Sequence, residues 1–283
     1  MILAVDIYML EHPKIIKGKT PGPVSIVMVG VHGNEVCGIR ALDEILPNLQ
    51  IERGEVMFIY GNPKAIQENK RYIEANLNRM FVDDEYLSPL EKNSYEYKRA
   101  QFLKEFLNKA DVLLDVHASS VPNSTPFIIC ERNALDIAKY LPAENVTFGF
   151  DEIEPGGTDY YMNKHNKVGI CLECGYLGDD QSVEVAKKGI LSFLSIQGHL
   201  KLELKQNKQK YFQMYMRYLT RTDSFILTKQ FADFEIIKTG QLIGFDGREA
   251  VKSPQESIIL FAHNTFKKGG EAFLLGKKLA DFY

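Results

Sequence analysis

The sequence predicts an α/β protein, with a mostly parallel mixed sheet flanked by helices and a smaller β-rich domain at the C-terminal end. Between about residues 24 and 200, apolar runs of strand length alternate with helical patterns, as they do in sheets with helices on both faces. After about residue 200, short alternating segments are interrupted by glycines, which is typical of a small β domain. We therefore predict two domains, 1–202 and 203–283.

Five apolar runs are the predicted strands of the first domain, in the order "VSIVMVG", "EVMFIYGNP", "DVLLDVHAS", "PFIICE" and "VGICLECG". Helical patterns occupy "SPLEKNSYEYKRAQFLKEFLNKA", "NALDIAKYL" and "SVEVAKKGILSFLSIQGHL". Ser88 and Asn93 are alternative N-caps in the first of these stretches. A further helix is predicted to begin near Asn34, directly after the first strand.

Composition and charge exclude several classes of protein. The 283 residues are 45% hydrophobic and 25% charged, the balance of a globular protein with a substantial core. The formal net charge is -3, so the chain lacks the excess of positive charge that is typical of nucleic-acid-binding proteins. The N-terminal stretch "MILAVDIYMLEHPKII" has an early acidic residue, no basic leader and too short an apolar run to span a bilayer. We expect a soluble, cytoplasmic protein with no nucleic-acid or membrane partner, and homo-oligomerisation stays open.

The four cysteines do not indicate a disulfide framework in a chain of this length. Cys171 and Cys174 form a C-x-x-C pair within the predicted strand "VGICLECG". Because residues three apart on a strand point to opposite faces, the two thiols should not converge on one metal ion. We predict that they are small buried apolar residues.

A histidine and a glutamate stand at the predicted turn between the first strand and its helix, in the motif "HGNE". His32 and Glu35 would therefore lie at the carboxyl end of a sheet strand, where α/β folds bind ligands. An imidazole and a carboxylate at this spacing are suited to share a metal ion. An isolated H-x-x-E is also compatible with two residues that only cap a helix.

The predicted strand "DVLLDVHAS" favours a metal site over two residues that only cap a helix. It is almost continuously apolar, yet it contains Asp115 and His117, which are costly to bury alone. Residues two apart on a strand share a face, so both side chains can turn toward one site if the strand continues that far. His32, Glu35 and His117 make three zinc ligands with a fourth position open, as in catalytic sites.

Two further segments carry side chains that are suited to catalysis. "NKRYIEANLNRMF" contains Arg71, Asn78 and Arg79, which can bind a carboxylate and polarise a carbonyl, although surface arginines are an equal alternative. Glu173 lies within the apolar run "GICLECG", where desolvation favours its neutral form unless a cation is close. Beside an activated water molecule, this residue is suited to act as a general base.

Together and in this order, the motifs resemble the succinylglutamate desuccinylase and aspartoacylase family, which is related to zinc carboxypeptidases. "HGNE", "RYIEANLNRMF", "DVHAS" and the glutamate of "GICLECG" carry the resemblance, which covers about residues 24 to 200. It implies a zinc carboxypeptidase-like fold with one Zn²⁺ per chain. It further implies an amidohydrolase that removes the acyl group from a small-molecule N-acyl amino acid.

The resemblance also implies a role for each matched residue. The zinc ligands are His32, Glu35 and His117. Arg71 matches the arginine that polarises the scissile carbonyl, and Glu173 matches the catalytic glutamate. The pair that holds the carboxylate of the substrate is Asn78 and Arg79.

Two departures from the family pattern bear on the substrate. Asn76 stands in "ANLNR" where many members have Asp, so a hydrogen bond or a local charge that supports the arginines differs. The segment "PGGTDYYMNKHNKVG" has no arginine to match the one that aspartoacylase uses to hold the aspartate side chain. N-acetylaspartate is therefore not the expected substrate, and the acyl group and the amino acid stay open.

Two other functions fit parts of the same pattern. A zinc carboxypeptidase acting on short peptides would use the same ligand set, but a C-terminal β domain over the cleft would leave room only for one amino acid and its acyl group. The other alternative is a non-enzymatic protein, either a metal-dependent carboxylate sensor or a carrier with a modified lysine. The turns "FDGREAVKSPQ" and "NTFKKGG" lack the sequence that usually surrounds such a lysine.

Overall fold

A computed structural model describes residues 10–280 of the chain. Residues 1–9 and 281–283 lie outside the described residues, and with them the first part of the N-terminal stretch on which the localisation prediction depends. Among residues 10–280, no helix is long and apolar enough to cross a membrane.

The strands, in chain order, are β1 (Lys14–Lys17), β2 (Thr20–Val29), β3 (Arg53–Tyr60), β4 (Val112–Ser119), β5 (Phe127–Cys130), β6 (Asn145–Phe148), β7 (Val168–Tyr176), β8 (Lys210–Leu219), β9 (Phe225–Leu227), β10 (Glu235–Ile237), β11 (Leu242–Asp246), β12 (Glu249–Lys252), β13 (Ser257–Leu260) and β14 (Glu271–Lys278). The α-helices are α1 (Cys37–Ile45), α2 (Pro63–Glu68), α3 (Pro89–Asn93), α4 (Tyr95–Leu107), α5 (Leu135–Ala138), α6 (Phe150–Ile153), α7 (Thr158–Lys164) and α8 (Gln181–Ile196). Short 3-10 turns cover Leu46–Asn48, Leu77–Arg79, Asp84–Tyr86 and Arg132–Ala134.

Within the described residues, an 11-stranded sheet has the order β1-β3-β2-β4-β7-β5-β6-β8-β14-β13-β10. The pairings β2–β3, β2–β4, β4–β7, β5–β6 and β6–β8 are parallel, whereas β1–β3 and β5–β7 are antiparallel. Beyond β8, the strands β14, β13 and β10 pair antiparallel. A separate sheet has the order β12-β11-β9. The predicted α/β class with a mixed sheet is confirmed.

Both faces of the sheet are covered, which explains why its central strands are continuously apolar. On β2, Val27 and Val29 pack into a cluster with residues of α1 and α8, whereas Ile26 and Met28 pack into a second cluster with residues of α4. All four side chains are fully buried. A strand that is buried on both faces loses the usual alternation of polar and apolar residues.

The two cysteines of β7 point to opposite faces of the sheet. Cys171 belongs to a core cluster that includes residues of β8 and β14, whereas Cys174 belongs to the cluster of α1 and α8. Both thiols are buried and free. The prediction that they are small buried residues and do not converge is confirmed.

The observed elements differ from the predictions in two helix boundaries and in two additional strands. Helix α1 begins at Cys37, not near Asn34, because the intervening residues form the turn that carries the site. The stretch predicted as one helix is divided into α3 and α4, since Ser94 is extended and its hydroxyl caps α4 by accepting the N–H of Tyr97. Ser88 caps α3 with a capping box, as predicted, so Asn93 is not a cap. Strands β1 and β6 were not predicted.

The chain after residue 203 forms strands in the described residues, and four of them extend the same sheet as the preceding α/β region. The junction is the parallel pair β6–β8, which is followed by the antiparallel pair β8–β14. The β-rich character of this region is confirmed. The division of the chain into domains at 202 and 203 stays a prediction.

We expect Leu114→Ala in β4 to lower the free energy of unfolding by about 2–5 kcal/mol, because it removes apolar contacts and leaves a cavity between buried strands. Leu114 is 0% exposed, whereas Leu90 is 85% exposed. Leu90→Ala is therefore the control and should change the free energy by less than about 0.5 kcal/mol. Urea unfolding measures both, and equal effects of the two substitutions would contradict the assignment of β4 to the core.

Candidate active site

The predicted site residues meet at the carboxyl ends of neighbouring parallel strands. His32 follows β2, and His117 lies near the end of β4. Glu173 of β7 is the direct cross-strand partner of His117. Side chains of directly opposite residues lie on the same face of a sheet, so Glu173 is held beside His117 by strand pairing.

The turn that carries His32 has a close packing contact that requires glycine. A Cβ on Gly33 would lie 2.0 Å from the carbonyl carbon of Ala65 in α2. The N–H of Gly33 also donates to the carbonyl oxygen of Arg71 at 3.3 Å. The glycine of "HGNE" thus lets the His32 turn approach α2 and the segment that contains Arg71.

His32, Glu35 and His117 form a buried group whose candidate ligand atoms all lie within 4.8 Å of one another. His32 Nδ1 is 2.8 Å from Glu35 Oε1, and His117 Nδ1 is 2.9 Å from Glu35 Oε2. The same carboxylate accepts a hydrogen bond from Arg71 Nη1 at 2.8 Å and one from the N–H of Ala118 at 3.2 Å. This group could hold a metal ion.

The protonation of His32 is determined by an asparagine. His32 Nε2 lies 3.1 Å from Asn76 Oδ1, and that oxygen also accepts the N–H of Asn78 at 3.0 Å. The atom that faces the imidazole is therefore an acceptor, and Nε2 must carry the hydrogen. A neutral imidazole then has a lone pair on Nδ1, which points at the carboxylate of Glu35. The departure at Asn76 thus places an amide oxygen on His32.

His117 faces Glu35 in the same way, but within residues 10–280 its Nε2 atom has an outer oxygen nearby without a hydrogen bond to it. Its Nε2 lies 3.2 Å from Asp115 Oδ2, an oxygen that also accepts a hydrogen bond from the hydroxyl of Thr158. Its Nδ1 faces Glu35. Both imidazoles therefore have acceptor oxygens at both ring nitrogens, although a neutral imidazole has only one N–H. A cation between the Nδ1 atoms and the carboxylate resolves this mismatch, and a metal ion with these three ligands fits.

The charges of the group support the same conclusion. Burial lowers the pKa of His32 to about 4, so its imidazole is neutral and able to coordinate at neutral pH. Burial works to raise the pKa of Glu35, but His32 and His117 hold that pKa well below its usual range. Burial works to lower the pKa of His117, but Asp115 and Glu35 raise it well above its usual range. The two carboxylates therefore favour a positive charge at this position.

Glu173 is a buried carboxyl group beside the candidate metal-binding group. It is 7% exposed, and within residues 10–280 its Oε2 atom has no hydrogen-bond partner. Burial raises the pKa of Glu173 to about 8. A carboxyl group with a raised pKa and an unpaired oxygen in a cleft is typical of a proton-transfer residue.

A cavity of about 750 Å³ contains the site. It is lined by all of the residues selected from the sequence, namely His32, Glu35, Arg71, Asn78, Arg79, His117 and Glu173. Its wall also includes residues from the C-terminal β region, among them Arg217, Lys267 and Glu271. The β region after residue 203 therefore shapes the cavity.

Arg79 is ion-paired within the protein. Its Nη2 contacts the carboxylate of Glu154 and lies 3.8 Å from Glu271 Oε2, while its Nη1 donates to the carbonyl oxygen of Asn78 at 2.6 Å. Burial lowers the pKa of Arg79 to about 10. Sequence reasoning missed Glu154 and Glu271. The two glycines that follow Glu154 and Pro155 were the available sign of a close approach between two segments. A Cβ on Gly156 would lie 2.9 Å from the Arg79 backbone.

Comparison with known proteins yields a family model and several relatives. Residues 21–197 match the model of the succinylglutamate desuccinylase/aspartoacylase catalytic domain. A protein of Nostoc sp. named probable aspartoacylase is 30% identical over 159 residues, which are 53% of this chain and 54% of that protein. The N-acyl-aromatic-L-amino acid amidohydrolase (carboxylate-forming) of Rattus norvegicus is 33% identical over 163 residues, 52% of this chain and 51% of that protein. The chain spans about half the length of these curated relatives.

Solved structures share the whole fold at low sequence identity. Succinylglutamate desuccinylase from Vibrio cholerae superposes with a TM-score of 0.80 and 18% identity, covering 96% of this chain and 92% of that chain. A succinylglutamate desuccinylase/aspartoacylase from Rhodobacter sphaeroides superposes with a TM-score of 0.72 and 19% identity, covering 94% and 88%. Both alignments extend beyond residue 197, so the C-terminal β region belongs to the shared fold.

We expect His117→Ala to abolish stable binding of a divalent metal, because it removes one of three ligands. The loss of affinity should exceed the roughly 10–100-fold that removal of an outer hydrogen-bond partner costs. His199→Ala is the matched control, since His199 is also buried but bonds to Arg53 O and Ser25 Oγ. Metal content after equilibration and gel filtration measures both variants. Retention of wild-type metal content by His117→Ala would remove this residue from the site.

Proposed function

We propose that this chain, which belongs to the succinylglutamate desuccinylase/aspartoacylase family, is a zinc-dependent amidohydrolase that removes the acyl group from an N-acyl amino acid. The observation that carries the proposal is the convergence of His32, Glu35 and His117 beside the unpaired carboxyl oxygen of Glu173. Three ligands and a neighbouring proton acceptor are the minimum for metal-assisted hydrolysis of an amide.

Zinc is the proposed metal because two imidazoles and one carboxylate form a common ligand set of catalytic zinc sites. One ion per chain is proposed, held by His32, Glu35 and His117. When bound, it supplies the Lewis acidity that activates water near neutral pH and polarises a carbonyl oxygen. Asn76 orients the His32 imidazole by accepting a hydrogen bond from its Nε2 atom, and the Asp115 carboxylate lies 3.2 Å from Nε2 of His117.

Glu173 is the proposed general base and then the general acid. A cation bound beside Glu173 would favour its ionised form in spite of the raised pKa. The carboxylate would then take a proton from the attacking water as the new C–O bond forms at the acyl carbon. The same carboxyl group then gives the proton to the amide nitrogen as the C–N bond breaks, so that the products are a free carboxylate and an amine. Its position opposite His117 keeps it beside the metal ligands during both steps.

Arg71, Asn78 and Arg79 are the proposed substrate-binding residues. Arg71 is close enough to the metal group to donate to Glu35, and its half-exposed guanidinium lines the cavity, where it can stabilise the negative charge that develops on the carbonyl oxygen. Asn78 and Arg79 line the same cavity and are proposed to bind the carboxylate of the amino acid. The substrate carboxylate must then compete with Glu154 for Arg79.

A zinc carboxypeptidase remains the alternative function, since its chemistry would use the same residues. Residues of the C-terminal β region, such as Arg217 and Glu271, help to enclose a cavity of about 750 Å³. A cavity of this size, walled on one side by the C-terminal β region, favours a substrate with one amino acid and its acyl group over a longer peptide.

A substrate screen tests the proposal directly. Zinc-loaded protein is incubated with N-succinyl, N-acetyl and longer N-acyl amino acids, and in parallel with tripeptides, while release of free amine is measured. We expect hydrolysis of at least one N-acyl amino acid and little cleavage of peptides. Preferential cleavage of tripeptides would establish the carboxypeptidase, and binding without turnover of any compound would favour a non-enzymatic carboxylate-binding protein.

We expect Glu173→Ala to lower turnover by about two to four orders of magnitude, because the proton transfers lose their acceptor and donor. The metal content should stay at the wild-type level, since Glu173 is not one of the three ligands. Steady-state kinetics on the best substrate from the screen, with metal analysis of the same sample, measures both quantities. Wild-type turnover in this variant would exclude Glu173 from the mechanism.

We expect Glu154→Gln to lower KM by a factor of about 2–10 while kcat changes little, because it removes the carboxylate that competes for Arg79. The matched control is Glu152→Gln, which changes an exposed carboxylate on the same segment. Initial rates over a range of substrate concentrations separate KM from kcat. An increase in KM would mean that Glu154 holds Arg79 in the orientation needed for binding, and that the two carboxylates do not compete.

A further inference from the structure

Glu96, a carboxylate that does not line the cavity, holds together the segment that contacts the metal-binding group. It lies in the first turn of α4 and is 0% exposed. Its Oε1 accepts the N–H of Ile73 at 2.7 Å, and its Oε2 accepts those of Glu74 at 3.2 Å and Ala75 at 3.1 Å. One buried carboxylate therefore binds three consecutive backbone amides. We call residues 71–76 the strap loop.

Two further contacts connect this carboxylate to its surroundings. Oε1 of Glu96 also accepts a hydrogen bond from Asn62 Nδ2 at 3.2 Å, and Asn62 caps α2 by accepting the N–H of Ala65. In return, the carboxylate of Glu74 accepts the N–H of Tyr95 at the start of α4. The strap loop and the first turn of α4 thus satisfy each other's free amides. A buried carboxylate with four N–H donors is satisfied without a cation.

The two ends of the strap loop supply outer contacts to the proposed metal ligands. At one end, Arg71 donates to Glu35 Oε1 at 2.8 Å. At the other end, Asn76 Oδ1 accepts from His32 Nε2. The amides bound by Glu96 lie between these ends. Any movement of the loop away from α4 would therefore shift partners of two ligands together.

We propose that Glu96 is a positioning residue for the metal site, which acts through the strap loop by placing Arg71 on Glu35 and Asn76 on His32. This inference rests on the metal site of the proposed function, so it is tested by metal binding. It does not depend on the identity of the substrate. A purely structural role would instead predict a loss of stability with unchanged metal affinity.

Glu96→Gln is the test substitution because it preserves size and removes half of the acceptor capacity. A glutamine has one carbonyl oxygen, and its NH₂ group would face backbone N–H groups that also donate. Depending on the orientation of the amide, either the N–H of Ile73 or those of Glu74 and Ala75 then lose their acceptor. Glu96→Asp keeps both oxygens but is shorter by one methylene, and it serves as the conservative variant.

Asp246→Asn is the matched control. Asp246 is also a buried carboxylate, and it accepts the backbone N–H groups of Arg221 and Thr222 and the hydroxyl of Tyr218. It lies on β11, and it is not part of the cavity lining. Its substitution should lower stability by a similar mechanism without reaching the metal site.

The measurements are the zinc dissociation constant by competition with a chromophoric chelator, the absorption spectrum of the Co²⁺-substituted protein, and the melting temperature. We expect Glu96→Gln to weaken zinc binding by about 10–100-fold and to alter the Co²⁺ spectrum, as loss of outer partners does. Glu96→Asp should lie between this variant and the wild type. Asp246→Asn should lower the melting temperature and leave both metal readouts unchanged.

A double substitution tests the route of the effect. If Glu96 acts through the strap loop, Glu96→Gln should weaken zinc binding less in an Asn76→Ala background than in the wild type, because only the contact of Arg71 with Glu35 is then left to disturb. Fully additive losses overturn the proposal, as does a folded Glu96→Gln variant with wild-type zinc affinity and Co²⁺ spectrum. If Glu96→Gln does not fold, wild-type affinity of Glu96→Asp combined with a lowered melting temperature overturns it equally.

The outcomes separate this inference from the proposed function. A wild-type protein that binds zinc but hydrolyses no N-acyl amino acid contradicts the proposed function and leaves the role of Glu96 measurable. Active wild-type protein with unchanged metal binding in Glu96→Gln overturns only the role of Glu96. A wild-type protein that binds no zinc overturns both.

Discussion

The carboxylate of Glu35, held between two imidazoles that have acceptor oxygens on their far sides, is the constraint on which the site depends. His32 and His117 face Glu35 through Nδ1 and face Asn76 and Asp115 through Nε2. A neutral imidazole cannot donate in both directions, so the arrangement needs either a second proton on an imidazole or a cation at its centre. The chemistry proposed for this protein takes this cation to be a metal ion, which would lie beside Glu173, the cross-strand partner of His117.

The fold brings these groups together by strand order. Parallel strands β2, β4 and β7 are neighbours in the sheet, so their carboxyl ends lie at one edge, and residues more than eighty positions apart become neighbours. The sheet then continues into the β region after residue 203, which contributes a wall of the cavity. The candidate metal-binding group lies at the ends of the central strands, whereas part of the cavity wall comes from the β region at the far side of the same sheet.

Buried carboxylates also hold the segments around the site in place. Glu96 gathers the amides of the strap loop, and Glu154 pairs with Arg79. Neither was identified from the sequence, because a glutamate near the start of a helix or beside a proline looks the same whether it is solvated or buried. Their partners are backbone amides or an arginine far away in the chain, and only the packed structure determines those distances.

The sequence by itself determined the α/β class and the central strands, because continuous apolar runs predict strands that are buried on both faces. It also selected the three residues of the candidate metal group, through its ordered motifs and their resemblance to a family. Tertiary structure alone decided that Asn76 sets the hydrogen on His32, that Arg79 is already ion-paired, and that helix α1 starts only after the site turn. The physical reason is the distance along the chain over which each property is determined. The pattern of buried residues can be recognised from neighbouring residues in the sequence, whereas hydrogen-bond direction and ion pairing depend on atoms that meet only when distant segments pack.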